Sequence, residues 1–387
     1  MLKAQTDMIE DRVAEVVDLN FYSTQLQIPF SSKREALRHF VSTGQSLNAM
    51  PHPLFHTQWF KWQNPDHVKQ DSVLHDFVIK SKKRIVDPSP MLDMTRIMQK
   101  LGTNDPVHAL TAATDQQWGA VDGVYHNYYD LVESQKTMRN SITMKVLRSL
   151  PPQSLRKRRK NLLWVQIGPD SEFVKWFKPE LSRNWDLLVN WYSPDAIDNS
   201  LGEIAIHQRG TKFTAVAEVW NAQPDIFEDY HNVMFFDDDL IIDHENVDQI
   251  FETAERHQLD VFQPALTKNS HGVWPVFRQK SKHASCRKTN GVEIMMPGFS
   301  KKAIWQILPL FNYSISGFGL DLLIAKIVRE RNFKCGVIDG FPVFHSKEIN
   351  QVSGAYYNFL RQFGINSKAE LWYLVEAFSL ELNFYEV

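Results

Sequence analysis

The chain has 387 residues, 43% of them hydrophobic and 23% charged, with a formal net charge of −2. That length exceeds one ordinary domain of about 100–200 residues, and the composition is globular rather than disordered or fibrous. A near-neutral balance argues against a general nucleic-acid binder, and two cysteines, Cys286 and Cys335, give no disulfide framework and fit a reducing, cytoplasmic setting.

The opening segment, from Met1 to Asp7, lacks the apolar core of a signal peptide, and no apolar run approaches the roughly 18–20 residues of a membrane span. The first hundred residues repeat weakly. Asp18-Leu19-Asn20-Phe21-Tyr22, Ala36-Leu37-Arg38-His39-Phe40 and Pro51-His52-Pro53-Leu54-Phe55 are echoed by Gln58-Trp59-Phe60, Val73-Leu74-His75-Asp76-Phe77 and Pro88-Ser89-Pro90-Met91-Leu92. The period is about 37 residues, and a degraded third copy starts near Met94. Each unit reads as two short helices closed by a proline turn, which predicts a helical module over 1–114. The pattern resembles the short repeats, with a PHPLF-like signature, that flank glycosyltransferase domains in bacterial polysaccharide-assembly proteins.

A helical connector is expected from Asp115 to Ser149. A basic run, Arg156-Lys157-Arg158-Arg159-Lys160, then serves either as a solvated linker or as a contact for anionic lipid headgroups at the inner face of a membrane. From 161 onward strands alternate with helices, the texture of an α/β domain. Strands are expected at Asn161–Gly168, Trp185–Tyr192, Asn232–Phe236 and Asp260–Leu266, with helices from Lys212 to Trp220 and Glu245 to Gln258. Ligands of open α/β sheets sit beyond the carboxyl ends of strands. The third strand ends in Asp237-Asp238-Asp239.

Adjacent carboxylates raise one another's pKa, and a bound divalent cation relieves this. Alternation along an extended segment points Asp237 and Asp239 the same way, with Asp238 turned aside. Such a pair suits Mg²⁺ or Mn²⁺, which take oxygen ligands and often bind through few carboxylates plus substrate phosphates. An exposed acidic turn or a helix-capping cluster is the plainer alternative. A strand ending in D-x-D also occurs in haloacid-dehalogenase-type phosphatases, where the first aspartate is a nucleophile. There the motif opens the domain and precedes a Gly-Thr turn; here it follows earlier strands and precedes Leu240-Ile241-Ile242, which favours a transferase.

The stretch Lys268–Asn290 is basic and long enough for an active-site lid, or is a solvated loop. Gly291–Ser300 reads as a strand carrying one acid, Glu293. Gly317-Phe318-Gly319-Leu320-Asp321 opens an apolar helix at which Asp321 either caps the dipole or serves as a base. A late strand ends at His345, a candidate third metal ligand.

The motifs FFDDDL (235–240), FQPAL (262–266), VEIMMPGFSKKAIW (292–305), GFGLD (317–321) and GVIDGFPVFH (336–345), in that order, resemble a glycosyltransferase-like family abundant in plants, with bacterial relatives. The resemblance covers about residues 160–346. It implies a GT-A fold over 161–387, with a mixed central sheet and a C-terminal helical extension after the 115–160 connector. It makes Asp237, Asp239 and His345 the metal ligands, Asp321 the base and Glu293 an acid at the acceptor site. Lys212, Asp238 and Gln263 fall on the donor side. The turn departs from the family at Phe318, before Gly319, where relatives have Trp. The implied activity is metal-dependent transfer of a sugar from a nucleotide-diphosphate donor to a glycan or glycolipid acceptor, as in surface-polysaccharide or glycoconjugate assembly. A D-x-D phosphohydrolase and an inactive scaffold of the same fold are the alternatives.

Overall fold

The computed structural model describes residues 2–64, 72–80, 85–114, 117–149, 158–194, 201–272, 274–281 and 286–387. Ten strands among them form one mixed sheet: β1 (Met144–Arg148), β2 (Asn161–Ile167), β3 (Trp185–Trp191), β4 (Ile204–Gln208), β5 (Asn232–Phe236), β6 (Leu240–Ile241), β7 (Val261–Leu266), β8 (Cys286–Lys288), β9 (Gly298–Ser300) and β10 (Cys335–His345). The order is β1-β4-β3-β2-β5-β9-β7-β10-β6, with β8 also on β10. Strands β4, β3, β2 and β5 run parallel, as do β7 and β10. The short β9 joins the two parallel groups by pairing antiparallel with both β5 and β7. The α/β class with a mixed central sheet is therefore the architecture of this unit.

The apolar runs explain the strands. Every residue of β2, β3, β5 and β7 is buried, as expected of parallel strands covered on both faces. The helix His244–Arg256 lays Val247, Ile250, Phe251 and Ala254 against side chains of β2, β3, β5 and β7 in one core cluster. Polar residues inside the sheet pair with one another: Asn190 Nδ2 donates to Gln166 Oε1 at 2.7 Å, and Asn232 Nδ2 to Asn161 Oδ1 at 3.0 Å. A rigid, buried β5 thus delivers the triple aspartate to the edge of the core.

The chain divides into two compact units, Met1–Ser134 with Gln351–Ala369 and Gln135–Asn350 with Glu370–Val387. In the first, helices Leu19–Leu26, Thr57–Gln63 and Met94–Leu101 open on Asp18, His56 and Asp93, whose side chains accept from Phe21, Trp59 and Arg96 N–H. The backbone N–H groups of these three caps each donate to a carbonyl further along the chain. Asp18 reaches Pro51 at 3.0 Å, His56 reaches Pro88 at 3.0 Å and Asp93 reaches Gly123 at 2.8 Å. Phe55 packs on Phe60 and Phe77 at ring separations of 5.2 and 5.5 Å. These aromatics are core. Among the described residues no helix is long and apolar enough to cross a membrane.

Three expectations need correction. Residues 115–149 are not one helical connector: Tyr128–Ser141 is helical, but Met144–Arg148 is β1, an edge strand paired with β4. Gly291–Ser300 is not a full strand, since only Gly298–Ser300 pairs; Pro297 lacks an N–H and cannot donate to a ladder. The basic run is occupied internally. Arg158 pairs with Asp229, Arg159 with Asp186 and Glu203 at 2.8 and 2.9 Å, and Lys160 with Glu255, so these three charges are answered within the domain rather than by solvent alone; Arg156 and Lys157 lie outside the described residues.

Gly317 tests how tightly the second unit is assembled. Its φ is +80°, and a Cβ there would meet the Phe213 ring at 2.2 Å. Gly317→Ala is expected to destabilise this unit by about 2–4 kcal/mol, combining left-handed strain with overpacking. Gly102→Ala, at φ +62° with nothing within 4 Å, meets the strain alone and should cost about 1–2 kcal/mol. Denaturant unfolding of both variants checks the difference; equal losses would contradict it.

Candidate functional site

Strand β5 stops at Phe236, and the next three residues turn instead of extending. The turn is fastened through its carbonyls. Asp238 O accepts from Glu172 N–H at 2.7 Å and Ser171 Oγ at 3.2 Å, and Asp239 O accepts from Ser346 N–H and Oγ at 3.1 and 2.9 Å. Trp176 Nε1 donates to Leu240 O at 2.9 Å. Each of the three carboxylates meets different partners: Asp237 meets Lys212 at 2.6 Å, Asp238 meets the Tyr192 hydroxyl and lies 3.9 Å from Lys347, and Asp239 meets His345 at 3.2 Å. Gly168 makes room for Tyr192, since a Cβ at 168 would lie 2.3 Å from its ring.

The Asp239–His345 pair is where a cation would fit. His345 Nδ1 lies 2.7 Å from His271 O and must carry the proton, because a carbonyl only accepts. That leaves Nε2 facing Asp239 Oδ2 at 3.2 Å. A ring N–H held by a backbone carbonyl is the usual support of a metal-ligating histidine. Asp239 Oδ1 is buried with no hydrogen-bond partner among the described residues. Burial alone would lower the His345 pKa, but Asp239 and the His271 carbonyl lift it to about 9. Burial pushes the Asp239 carboxyl up, and His345 more than reverses this, holding it below the ordinary value. The pair is thus an ion pair at neutral pH, one cation already answering one carboxylate. Asp237 is less available: burial raises it to about 6, and its Oδ1 is engaged by Lys212. No group of three His, Cys, Asp or Glu ligands is assembled among the described residues.

Lys212 is the first residue of the helix Lys212–Ala222, with Thr211 as its cap. Its ammonium is buried and donates to Asp237 Oδ1 at 2.6 Å, Ile294 O at 2.6 Å and Met295 O at 3.0 Å. All three N–H groups are thereby used, so the expected contact with donor phosphate would need one of these bonds broken. Gln263 is likewise committed: its Oε1 accepts Glu293 N–H at 2.6 Å and its Nε2 donates to Pro264 O at 3.3 Å. Both residues hold the Glu293 segment.

Glu293 is 6% exposed; its Oε1 accepts Trp274 N–H at 3.2 Å and its Oε2 is buried without a partner. Burial pushes its pKa to about 8, helped by the charge of Asp321 and opposed by the Trp274 N–H, His345 and Arg278. Those couplings put Glu293 within electrostatic reach of both Asp321 and His345. Asp321 stands in the first turn of the helix Leu320–Glu330, after Gly319 at φ +85°. Burial raises its pKa to about 6, and Leu322 N–H, donating to Oδ1 at 2.9 Å, restrains the rise. The loop before it is pinned by the buried Glu370, which accepts from Ile315 N–H at 2.8 Å, Ser316 N–H at 2.7 Å and Ser314 Oγ at 3.0 Å. Thr211 Oγ donates to Ile315 O at 2.6 Å.

The structure therefore gathers Asp237, Asp238, Asp239, Lys212 and His345 around one turn, with Glu293 coupled to His345, Asp321 coupled to Glu293 and Gln263 behind Glu293. The basic stretch contributes differently from the lid expected of it. Arg278 donates to the carbonyls of Thr267, Lys268 and Ser270, and Arg287 pairs with Asp339 at 2.7 Å; Lys282 and His283 lie outside the described residues. Sequence reading missed Tyr192, Glu370, Trp274 and Lys347. For Lys347 a signal existed, its place two residues after His345. Glu370, 49 positions beyond Asp321 in another helix, left none.

No curated protein sequence matches the chain. Among solved structures, GalNAc-T7 with UDP, GalNAc and Mn²⁺ is similar at 8% identity and a TM-score of 0.38, over 53% of this chain and 48% of that one. TarS residues 1–349 from S. aureus are similar at 12% identity and a TM-score of 0.32, over 48% of this chain and 60% of that one. The complex of the latter with UDP-GlcNAc gives 13% and 0.33, over 52% and 64%. The chain thus spans less than two thirds of each. By sequence, the match runs over residues 130–362, well over half the chain and the whole of the site, and on it the chain belongs to the family described as "Protein of unknown function (DUF707)".

Proposed function

We propose that the chain is a metal-dependent glycosyltransferase of the GT-A type, moving a sugar from a nucleotide-diphosphate donor to a carbohydrate acceptor with inversion. The observation that carries this reading is the Asp239–His345 pair at the end of β5, with Asp239 Oδ1 buried and unpartnered beside it. Asp239 and His345, the latter giving up its Nε2 proton, would hold a Mn²⁺ or Mg²⁺ ion, whose chemistry is to neutralise the departing diphosphate. Asp237 and Asp238 shape the turn that presents the ligands, each already answered by a donor of the chain. Asp321, raised only to about 6, is ionised at neutral pH and can accept the proton of an acceptor hydroxyl. Glu293, raised to about 8, keeps its proton at neutral pH and can donate a hydrogen bond to an acceptor oxygen from Oε2. The phosphohydrolase reading is weaker, because its nucleophile would be Asp237, whose Oδ1 is held by a buried ammonium.

Asp239→Asn is expected to weaken Mn²⁺ binding, measured by electron paramagnetic resonance, by more than about 10-fold, and to abolish turnover of nucleotide sugars. Unchanged affinity together with unchanged turnover would sink the proposal. Trapping of an aspartyl-phosphate on Asp237 would instead support the hydrolase.

Glu293 gives a second test. Its pKa of about 8 lies above the ordinary 4.5, so between these values the folded chain binds a proton that the unfolded chain releases. Stability from this group is full below pH 4.5 and is lost as pH rises through about 8. Glu293→Gln keeps the acceptor for Trp274 N–H and removes the charge. Relative to the parent, the variant should gain about 2–4 kcal/mol between pH 5 and pH 9, read by denaturant unfolding. A parallel pH profile for the two proteins would contradict it.

A further inference from the structure

We infer that Lys212 is a positioning residue: its ammonium ties the triple-aspartate turn to the loop that carries Glu293, and it does not contact the donor. An ammonium has three N–H donors, and here Asp237 Oδ1, Ile294 O and Met295 O take all three, at 2.6, 2.6 and 3.0 Å. The side chain is 2% exposed, so no face of it is offered to a ligand. Residues 291–297 belong to no strand, and their backbone groups are satisfied one at a time by the elements around them. The Glu293 N–H goes to the Gln263 side chain, Met295 O accepts Asp237 N–H at 3.1 Å and Pro297 O accepts Phe235 N–H at 3.0 Å. Lys212 adds the bond on Ile294 O, the residue next to Glu293, and joins it to the carboxylate of the facing turn.

The same helix start reaches the third acid-bearing segment. Thr211 Oγ donates to Ile315 O at 2.6 Å, and the Phe213 ring fills the space that a Cβ on Gly317 would occupy. Three consecutive residues, Thr211, Lys212 and Phe213, therefore touch the segments carrying Asp237, Glu293 and Asp321. An arginine would not replace Lys212, since a planar guanidinium presents its donors as a fork rather than three around a point. A methionine fills the stem without the donors, but leaves Asp237 as an unpaired charge.

The test therefore removes both charges. The intact chain is prepared as Asp237→Asn, which keeps the ammonium on its two carbonyl partners, and as Lys212→Met/Asp237→Asn, which keeps neither charge, so that the two proteins differ only at 212. Titration of the Glu293 carboxyl is followed by carbon-13 NMR, and UDP affinity is measured by calorimetry with Mn²⁺ present. Loss of Lys212 should open the Glu293 loop to water and lower the Glu293 midpoint by about one pH unit or more, while UDP affinity stays within about twofold. An unmoved Glu293 midpoint overturns the inference, whether UDP affinity is kept, in which case Lys212 only adds stability, or falls about tenfold, in which case it contacts the ligand. A parent chain that binds no UDP would count against the glycosyltransferase reading, and the Glu293 titration would still decide the role of Lys212.

Discussion

The site is organised by one ion pair, whose ammonium is buried and whose carboxylate keeps about a third of its surface exposed. Taking an ammonium out of water is expensive, and the attraction of a carboxylate recovers that cost only when the remaining donors are satisfied. At Lys212 they are, by two backbone carbonyls besides Asp237. The consequence is directional. A buried lysine with all its donors used cannot move without stranding an acid on one side and two carbonyls on the other. The strand β5, the irregular loop 291–297 and the helix beginning at Lys212 are therefore fixed to one another at a single atom. Burial pulls the Lys212 pKa down against the attraction of Asp237, and the same burial lifts Asp237 to about 6. The pair is held in a state that neither partner would keep in isolation at that depth.

Around this pair the three aspartates are balanced one at a time. Lys212 faces Asp237, His345 faces Asp239, and Asp238 has the Tyr192 hydroxyl with Lys347 near it. Three adjacent acids at the end of an apolar strand need no shared counter-ion to persist in the folded chain. The pairs differ in how readily they would yield to a ligand, however. Lys212 is locked by three bonds, whereas His345 holds Asp239 through one contact of 3.2 Å and leaves Asp239 Oδ1 unpartnered. If a cation enters, it meets least resistance at Asp239 and His345.

The parts legible in the sequence were those encoded locally. Four apolar residues before an acidic turn specify a buried strand and its end, and glycines before Asp321 specify a helix start; β5, the 320–330 helix and β10 lie where the pattern put them. Expectations failed where an apolar segment owed its conformation to distant partners. Gly291-Val292-Glu293-Ile294-Met295-Met296 has strand composition, yet its backbone is claimed by Gln263, Lys212 and Asp237, which leaves little of it for a ladder. The turn at Asp237–Asp239 is likewise fastened by Ser171, Glu172 and Ser346, none of them adjoining it in sequence. The basic residues misled for a similar reason. Charge is visible in a sequence, but the carboxylate that will neutralise it is not, as with Arg159 and the buried Asp186.

The two remaining acids complete the logic, because burial acts on them unequally. Both lack an ion-pair partner among the described residues, and both have raised pKa values, but Asp321 sits in the first turn of a helix, where backbone N–H groups stabilise the anion. Glu293 has one N–H, a buried Oε2 and the charge of Asp321 against it. Its proton is therefore held more tightly, to about 8 against about 6. Two carboxyl groups whose environments separate their pKa values in this way divide acid from base without further machinery. At neutral pH the one at the helix start is charged and the one on the loop is not. That ordering depends on Glu293 staying out of water, and so on the loop that Lys212 holds shut.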